Sequence, residues 1–264
     1  MNPLDSPSWI FSSLFIVVPS ILICLALLWV VRKCISVEEL KANHDVAGFT
    51  LGIVGVLYSV ILGFTVVNVQ SRSNEVLQTI HTEAVSIANL YRDASFFPPS
   101  GRDAIRSALR TYVQYVIEKE WENPNNRKIN IQAHKIMEKI WNSYYWVEIP
   151  DEKTALWYEE SISKLDAFMN ARLSRQFNSW EHLGSMMWTI LILGGIITIC
   201  FMYFFGLERL HAQMMMTALL AGYISLMLYL VFCLDNVFKG PQGITPAAFE
   251  QIVTLFDYWD GSSH

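Results

Sequence analysis

The sequence predicts an all-α integral membrane protein: four transmembrane helices, a soluble helical bundle inserted between the second and third, and helices 2 and 3 extending out of the membrane. Three observations carry this. Only 16% of the 264 residues are charged and 53% are hydrophobic, where an ordinary soluble domain carries about 25% charge. The apolar residues gather into four runs, each long enough for the ~20 residues a bilayer crossing needs. Between the second and third runs lies a charged, helix-forming stretch with no strand-like alternation.

The first run, Trp9 to Val31, follows an opening without Lys or Arg and has no small-residue cleavage site after it. It is expected to be a permanent anchor, with Pro19 a candidate kink. The second, Val46 to Val69, closes a first membrane segment of residues 1–69. No Gly or Pro interrupts the chain between Gly63 and Ala94, so the second helix is expected to leave the bilayer unbroken. A helix over Val46–Ala94 would be about 70 Å long. Residues 70–184 form the soluble bundle, punctuated by FPPSG at 97–101, ENPNN at 122–126 and IPD at 149–151 into four helical pieces. In the second piece Ile105, Leu109, Tyr112, Val113 and Val116 recur at three- and four-residue steps, an amphipathic face. The third repeats this with Ile131, Ile136, Ile140 and Trp141. Glu152 to Phe205 reads as another continuous rod, entering the membrane as the third run, Ser185 to Phe205. The fourth run is Gln213 to Leu234, in a membrane segment of 185–234. Residues 235–264 form a C-terminal segment with a short amphipathic helix.

Charge and composition exclude several functions. A net charge of −5 argues against nucleic-acid binding. Cys24, Cys34, Cys200 and Cys233 all lie in or beside apolar runs, without metal-ligand or redox spacing. The six histidines are scattered, none at the i, i+4 spacing of a metal pair. Walker, nucleophile-elbow and HExxH patterns are missing. We therefore expect no enzyme, no cofactor and no metal site, and expect the lipid bilayer as a partner. The short segments carrying Arg32, Lys33, Lys41 and Arg209 outweigh Lys239 opposite. This favours the N-terminus and the soluble insert outside the cytoplasm.

The second helix is the informative one. Gly48 and Gly52 make one small-xxx-small step, and Gly55, Ser59 and Gly63 make two more, a surface that lets helix backbones approach closely. The partner is either another helix of the same chain or one of another subunit. Val56, Val60, Phe64 and Val67 form an apolar row of the kind that gates by dewetting. Tyr58, Thr65, Asn68, Arg72 and Glu75 form a polar row, which faces either a water-filled cavity or protein partners.

The segments NHDVAGFTLGIVGVLYSVILGFTVV, TEAVSIANLYRDA, ARLSRQF and LDNVFKG resemble the bestrophin-like domain of unknown function of bacterial membrane proteins, over most of residues 43–257. The resemblance implies a distant tie to the bestrophins, pentameric anion channels with four membrane helices per subunit and a helical domain between the second and third. It implies self-association in the inner membrane of a bacterium, an inorganic ion as permeant, and Val56, Val60 and Phe64 as the neck of the pore; Thr65 and Asn68, from the polar row, are the alternative lining candidates. Departures are Val237 where the family pattern has Pro, and Glu250, Asp257 and Asp260 dispersed where bestrophins carry a calcium-binding acidic cluster. The bestrophin insert is cytosolic, against the charge bias here. Arg172 and Arg175, drawn to notice by the same pattern, stand about 15–20 Å beyond the membrane on a straight helix and suit bundle contacts or a vestibule. Depth therefore makes Arg72 the expected partner of Asp235. Apart from the resemblance, a pore-free membrane-anchored sensor or scaffold fits the same residues.

Overall fold

The computed structural model describes residues 8–42, 44–122, 131–205, 207, 209–238 and 243–261. Among them the chain forms α1 (Ser8–Cys34), α2 (Val37–Ala42), α3 (His44–Asp93), α4 (Pro99–Tyr115), α5 (Ile131–Tyr145), α6 (Glu152–Trp180), α7 (Ser185–Tyr203), α8 (Leu210–Asp235) and α9 (Ala247–Gly261). A 3₁₀ turn at Ala94–Phe96 follows α3, and a π turn at Val116–Glu120 follows α4. Helices α1, α3, α7 and α8 each have the length and apolarity to cross a membrane.

The chain divides into two compact units, residues 1–73 with 182–243, and 74–181 with 244–264. In the first, α1, α7 and α8 pack together, with Tyr58, Leu62, Leu191, Ile224 and Val231 as a buried cluster. Small residues make this packing possible. A Cβ at Gly194 would lie 2.6 Å from the Tyr58 ring, and one at Gly222 3.2 Å from Ile21. Ser20 and Ser225 share a hydrogen bond at 2.6 Å. The Tyr203 hydroxyl donates to the Cys24 carbonyl at 2.9 Å, so α1 is tied to both neighbours by polar contacts that lipid cannot replace.

In the second unit the tail of α3 and helices α4, α5, α6 and α9 bury Ile87, Leu90, Ile105, Leu109, Tyr112, Ile140, Phe168, Phe249 and Phe256. Pro99 starts α4 at a position where a missing N–H costs nothing. Asp151 caps α6, its side chain accepting from the Thr154 amide at 2.7 Å. Tyr91 stacks on Phe256 at 3.7 Å, which docks α9.

Two expectations need correction. The rod from Glu152 to Phe205 is interrupted: residues 181–184 are non-helical between α6 and α7. The backbone turns extended at Glu181, and the Leu183 amide donates to the Asp235 carboxylate at 2.6 Å instead of to a helix carbonyl. The α5 face is rotated, because Ile131 and Trp141 are exposed and Ala133, Met137 and Tyr144 are buried with Ile136 and Ile140. Of the polar row, Tyr58 and Thr65 are buried on the packed side of α3 and so face protein, while Asn68 and Glu75 are exposed. Helix α1 runs through Pro19 as one helix. Lys239 and most of the ENPNN breaker lie outside the described residues.

Candidate functional site

Helix α3 presents four distinct sides in its apolar half. Advancing roughly 100° per residue, Tyr58, Leu62, Thr65 and Val69 share the buried side, and the Thr65 hydroxyl donates to the Ile61 carbonyl at 2.8 Å. Opposite lie Val56, Val60 and Phe64, exposed by 64%, 50% and 73%, with Val67 in line. One flank carries Gly52, Gly55, Ser59 and Gly63. The other carries Leu57, Ile61 and Asn68, all exposed. Within the chain Gly48 meets only the edge of Phe205 at 3.7 Å, and no atom lies within 4 Å of a Cβ at Gly52, Gly55 or Gly63.

Asp235 closes the exit of α8. Arg72 Nη2 donates to its Oδ1 at 3.0 Å and to its carbonyl oxygen at 3.3 Å. The Leu183 amide shares Oδ1, and Trp188 Nε1 donates to Oδ2 at 3.3 Å. His182 Nδ1 stands 3.2 Å from the same carbonyl oxygen. One carboxylate thus holds α3, α7, α8 and the 181–184 break.

Arg172 and Arg175 are buried inside the second unit. Arg175 Nε donates to Glu83 Oε2 at 2.6 Å and its Nη2 to Glu120 Oε2 at 2.9 Å. Arg172 Nη2 donates to Glu120 Oε1 at 2.6 Å and its Nη1 to the Tyr112 hydroxyl at 2.6 Å. Tyr112 passes the chain on by donating to Glu83. Trp121 and Phe249 cover the Arg175 guanidinium at 5.7 and 5.8 Å. Burial alone would raise the Glu120 carboxyl, but Arg172 and Arg175 outweigh it and hold it below the usual carboxylate range. Burial pushes the Tyr112 hydroxyl well above its ordinary range, so it serves as a neutral donor. The sequence held an unread signal here. Val76, Ile80, Glu83, Ile87 and Leu90 share one stripe, as do Leu165, Phe168, Arg172 and Arg175. A charge carried on an otherwise apolar stripe demands an opposite charge within the bundle.

Two of the dispersed acids of α9, Asp257 and Asp260, are engaged as well. Arg110 Nη1 reaches Asp257 at 2.7 Å, and Arg106 and Arg110 reach Asp260 at 3.1 and 3.0 Å. No group of three or more His, Cys, Asp or Glu side chains converges as a metal site among the described residues.

A model of the Bestrophin-like domain matches residues 18–249. The chain belongs to the Bestrophin-like family. No protein with a curated description matches it. Its fold is similar to that of a bacterial bestrophin homologue from Klebsiella pneumoniae. One crystal structure of a single-residue variant superposes with a TM-score of 0.69 at 13% identity, covering 94% of this chain and 99% of that one. A second, phased with zinc, gives 0.65 at 16%, covering 96% and 98%. A crystal structure described as a membrane protein variant gives 0.71 at 14%, covering 94% and 98%. The Bestrophin-like chain therefore shares that fold nearly end to end, and its four apolar helices give it the character of a membrane protein.

Proposed function

We propose that the chain is one subunit of a homo-oligomeric ion channel, a pentamer conducting an inorganic anion, with α3 lining the path. The observation that carries this is the fate of the glycines. Those of α7 and α8 are accounted for inside the chain, since Tyr58 fills the space at Gly194 and Gly195 and Ile21 that at Gly222. On α3, Gly52, Gly55 and Gly63 have no such neighbour, although lipid gives no reason to keep a flat glycine flank. A second copy supplies what is missing: the Leu57 and Ile61 flank of one α3 fits the small flank of the next. Two different flanks in contact make a heterologous interface, which closes into a ring. The buried side of α3 then faces its own subunit, and Val56, Val60 and Phe64 face the axis. Thr65 is engaged on the packed side and Asn68 lies on the large flank, so the apolar row is the constriction.

The test is ion flux from liposomes holding the assembled oligomer. Replacing Val56, Val60 and Phe64 by Ala is expected to raise flux, because a hydrophobic constriction closes by excluding water. No flux from wild type or variant would favour a scaffold without a pore. The charges on Arg32, Lys33 and Arg209 put the second unit outside the cytoplasm in this reading. In a background without other cysteines, Ser163→Cys on exposed α6 should then react with an impermeant maleimide on intact cells. Labelling only after lysis would reverse the orientation.

A further inference from the structure

Carboxylates engage almost every arginine of the molecule. Of the nine arginines among the described residues, seven form ion pairs, from Arg72 with Asp235 to Arg175 with Glu83. The other two, Arg32 and Arg209, belong to the first unit, at the end of α8 opposite Asp235. Arg32 is in the last turn of α1, and Arg209 precedes the first residue of α8. Arg32 Nη2 donates to the Leu207 carbonyl, two positions before Arg209, so both arginines stand at one level. The Arg32 Nε is shielded from solvent and has no hydrogen-bond partner. Lys33 adds a third cation, its Nζ 3.8 Å from the centre of the Trp29 ring. None of the three forms an ion pair among the described residues, although α2 brings Glu38 and Glu39 close in sequence.

On the membrane side of these cations the outer surface is apolar, with Leu27 and Val30 of α1 and Met215 and Leu219 of α8 all exposed. Both helices have the length and apolarity to cross a membrane. The cations therefore stand where hydrocarbon gives way to headgroups, the level at which Trp and basic side chains gather. A guanidinium with no carboxylate in the chain calls for an anion from outside it, and the apolar wall beside it calls for one that carries acyl chains. We propose that Arg32 and Arg209 bind the phosphodiester of an anionic phospholipid such as phosphatidylglycerol, with Lys33 held over Trp29 as a further cation at the same level. The planar fork of a guanidinium suits phosphate oxygens, and the acyl chains lie along the exposed sides of α1 and α8. The site needs only that these two helices cross a membrane, and it does not depend on a pore.

Native mass spectrometry of the full chain in neutral detergent, with equimolar phosphatidylglycerol and phosphatidylcholine of the same acyl chains, reads the site directly. Wild type is expected to retain phosphatidylglycerol in about fivefold excess over phosphatidylcholine. Arg209→Gln, which removes an exposed charge without a side-chain partner among the described residues, should lower that excess. Arg32→Gln combined with it should abolish the excess. Lys135→Gln, at an exposed lysine on α5, should leave it unchanged. Glycerophosphoglycerol, the same headgroup without acyl chains, should fail to displace the lipid even in molar excess. Displacement would mean that the arginines take a free phosphodiester, and it overturns the lipid site. Equal retention of the two lipids by wild type, or an excess that survives Arg209→Gln undiminished, overturns it as well. Should the double variant fail to fold, Arg209→Gln alone decides.

Discussion

At Asp235 the carboxylate accepts from Arg72, the Leu183 amide and Trp188 Nε1, so its negative charge is matched by one cation and two neutral donors. This decides how a charge reversal should behave. Asp235→Arg leaves a cation facing Arg72 and both N–H groups, and such an uncompensated charge in a site only 5% exposed costs about 3–5 kcal/mol. Adding Arg72→Asp restores the ion pair but still points a guanidinium at the Leu183 and Trp188 donors. The double variant is therefore expected to regain only part of the lost thermal stability in detergent. Full recovery would mean that the two N–H donors contribute nothing and the pair acts alone. Depth along a straight helix was enough to put Arg72 level with Asp235. The other two donors were not legible, because they depend on a break at 181–184 that only the folded chain creates.

Among the elements, α3 is the one whose glycines separate folding from assembly. Gly52→Leu enters open space in the subunit, so each chain should still fold. In the ring it would fill the flat flank and force neighbouring backbones apart, at a cost of about 1–3 kcal/mol per interface. Gly194→Leu instead collides with Tyr58, whose ring lies 2.6 Å from the first added carbon, and should destabilise the chain itself. Native mass spectrometry with thermal unfolding separates these: smaller oligomers of normal subunit stability for Gly52→Leu, early unfolding for Gly194→Leu. An intact oligomer from Gly52→Leu would assign that flank to lipid. The length of α3 was readable because nothing in Ser71–Ala94 breaks a helix. The α6–α7 break went unread although Gly184 is a weak breaker signal, since Glu181, His182 and Leu183 are ordinary helix residues and the competing partner, Asp235, is more than fifty positions away. The rotated face of α5 escaped for a related reason. Ile131 and Trp141 fit the helical period, yet the core takes Ala133, Met137 and Tyr144.

At the scale of the whole molecule the two units are held by different chemistry. In the first unit the Arg72–Asp235 ion pair stands beside neutral contacts such as Ser20–Ser225 and Tyr203–Cys24. The second unit is laced by ion pairs: Glu83 and Glu120 with Arg172 and Arg175, Asp93 with Lys164 at 2.7 Å, and Asp260 with Arg106 and Arg110. The Glu120 carboxyl is held below its ordinary value of 4.5 by those arginines, against the opposing effect of burial. A carboxyl depressed in the folded state binds its proton more weakly there than in the unfolded chain. Its contribution is complete above the unfolded value and disappears as pH falls through the folded one. Acid should therefore loosen the second unit first, beginning at about pH 5 and deepening below 4.5. Hydrogen exchange on the detergent-solubilised oligomer, corrected for intrinsic rates, should show α4, α6 and α9 losing protection while α1, α7 and α8 keep theirs. Simultaneous loss in both units would mean that the paired carboxylates do not set the acid limit. Glu120→Gln should then move the onset little, whereas in the expected case it lowers stability at neutral pH and flattens the acid dependence.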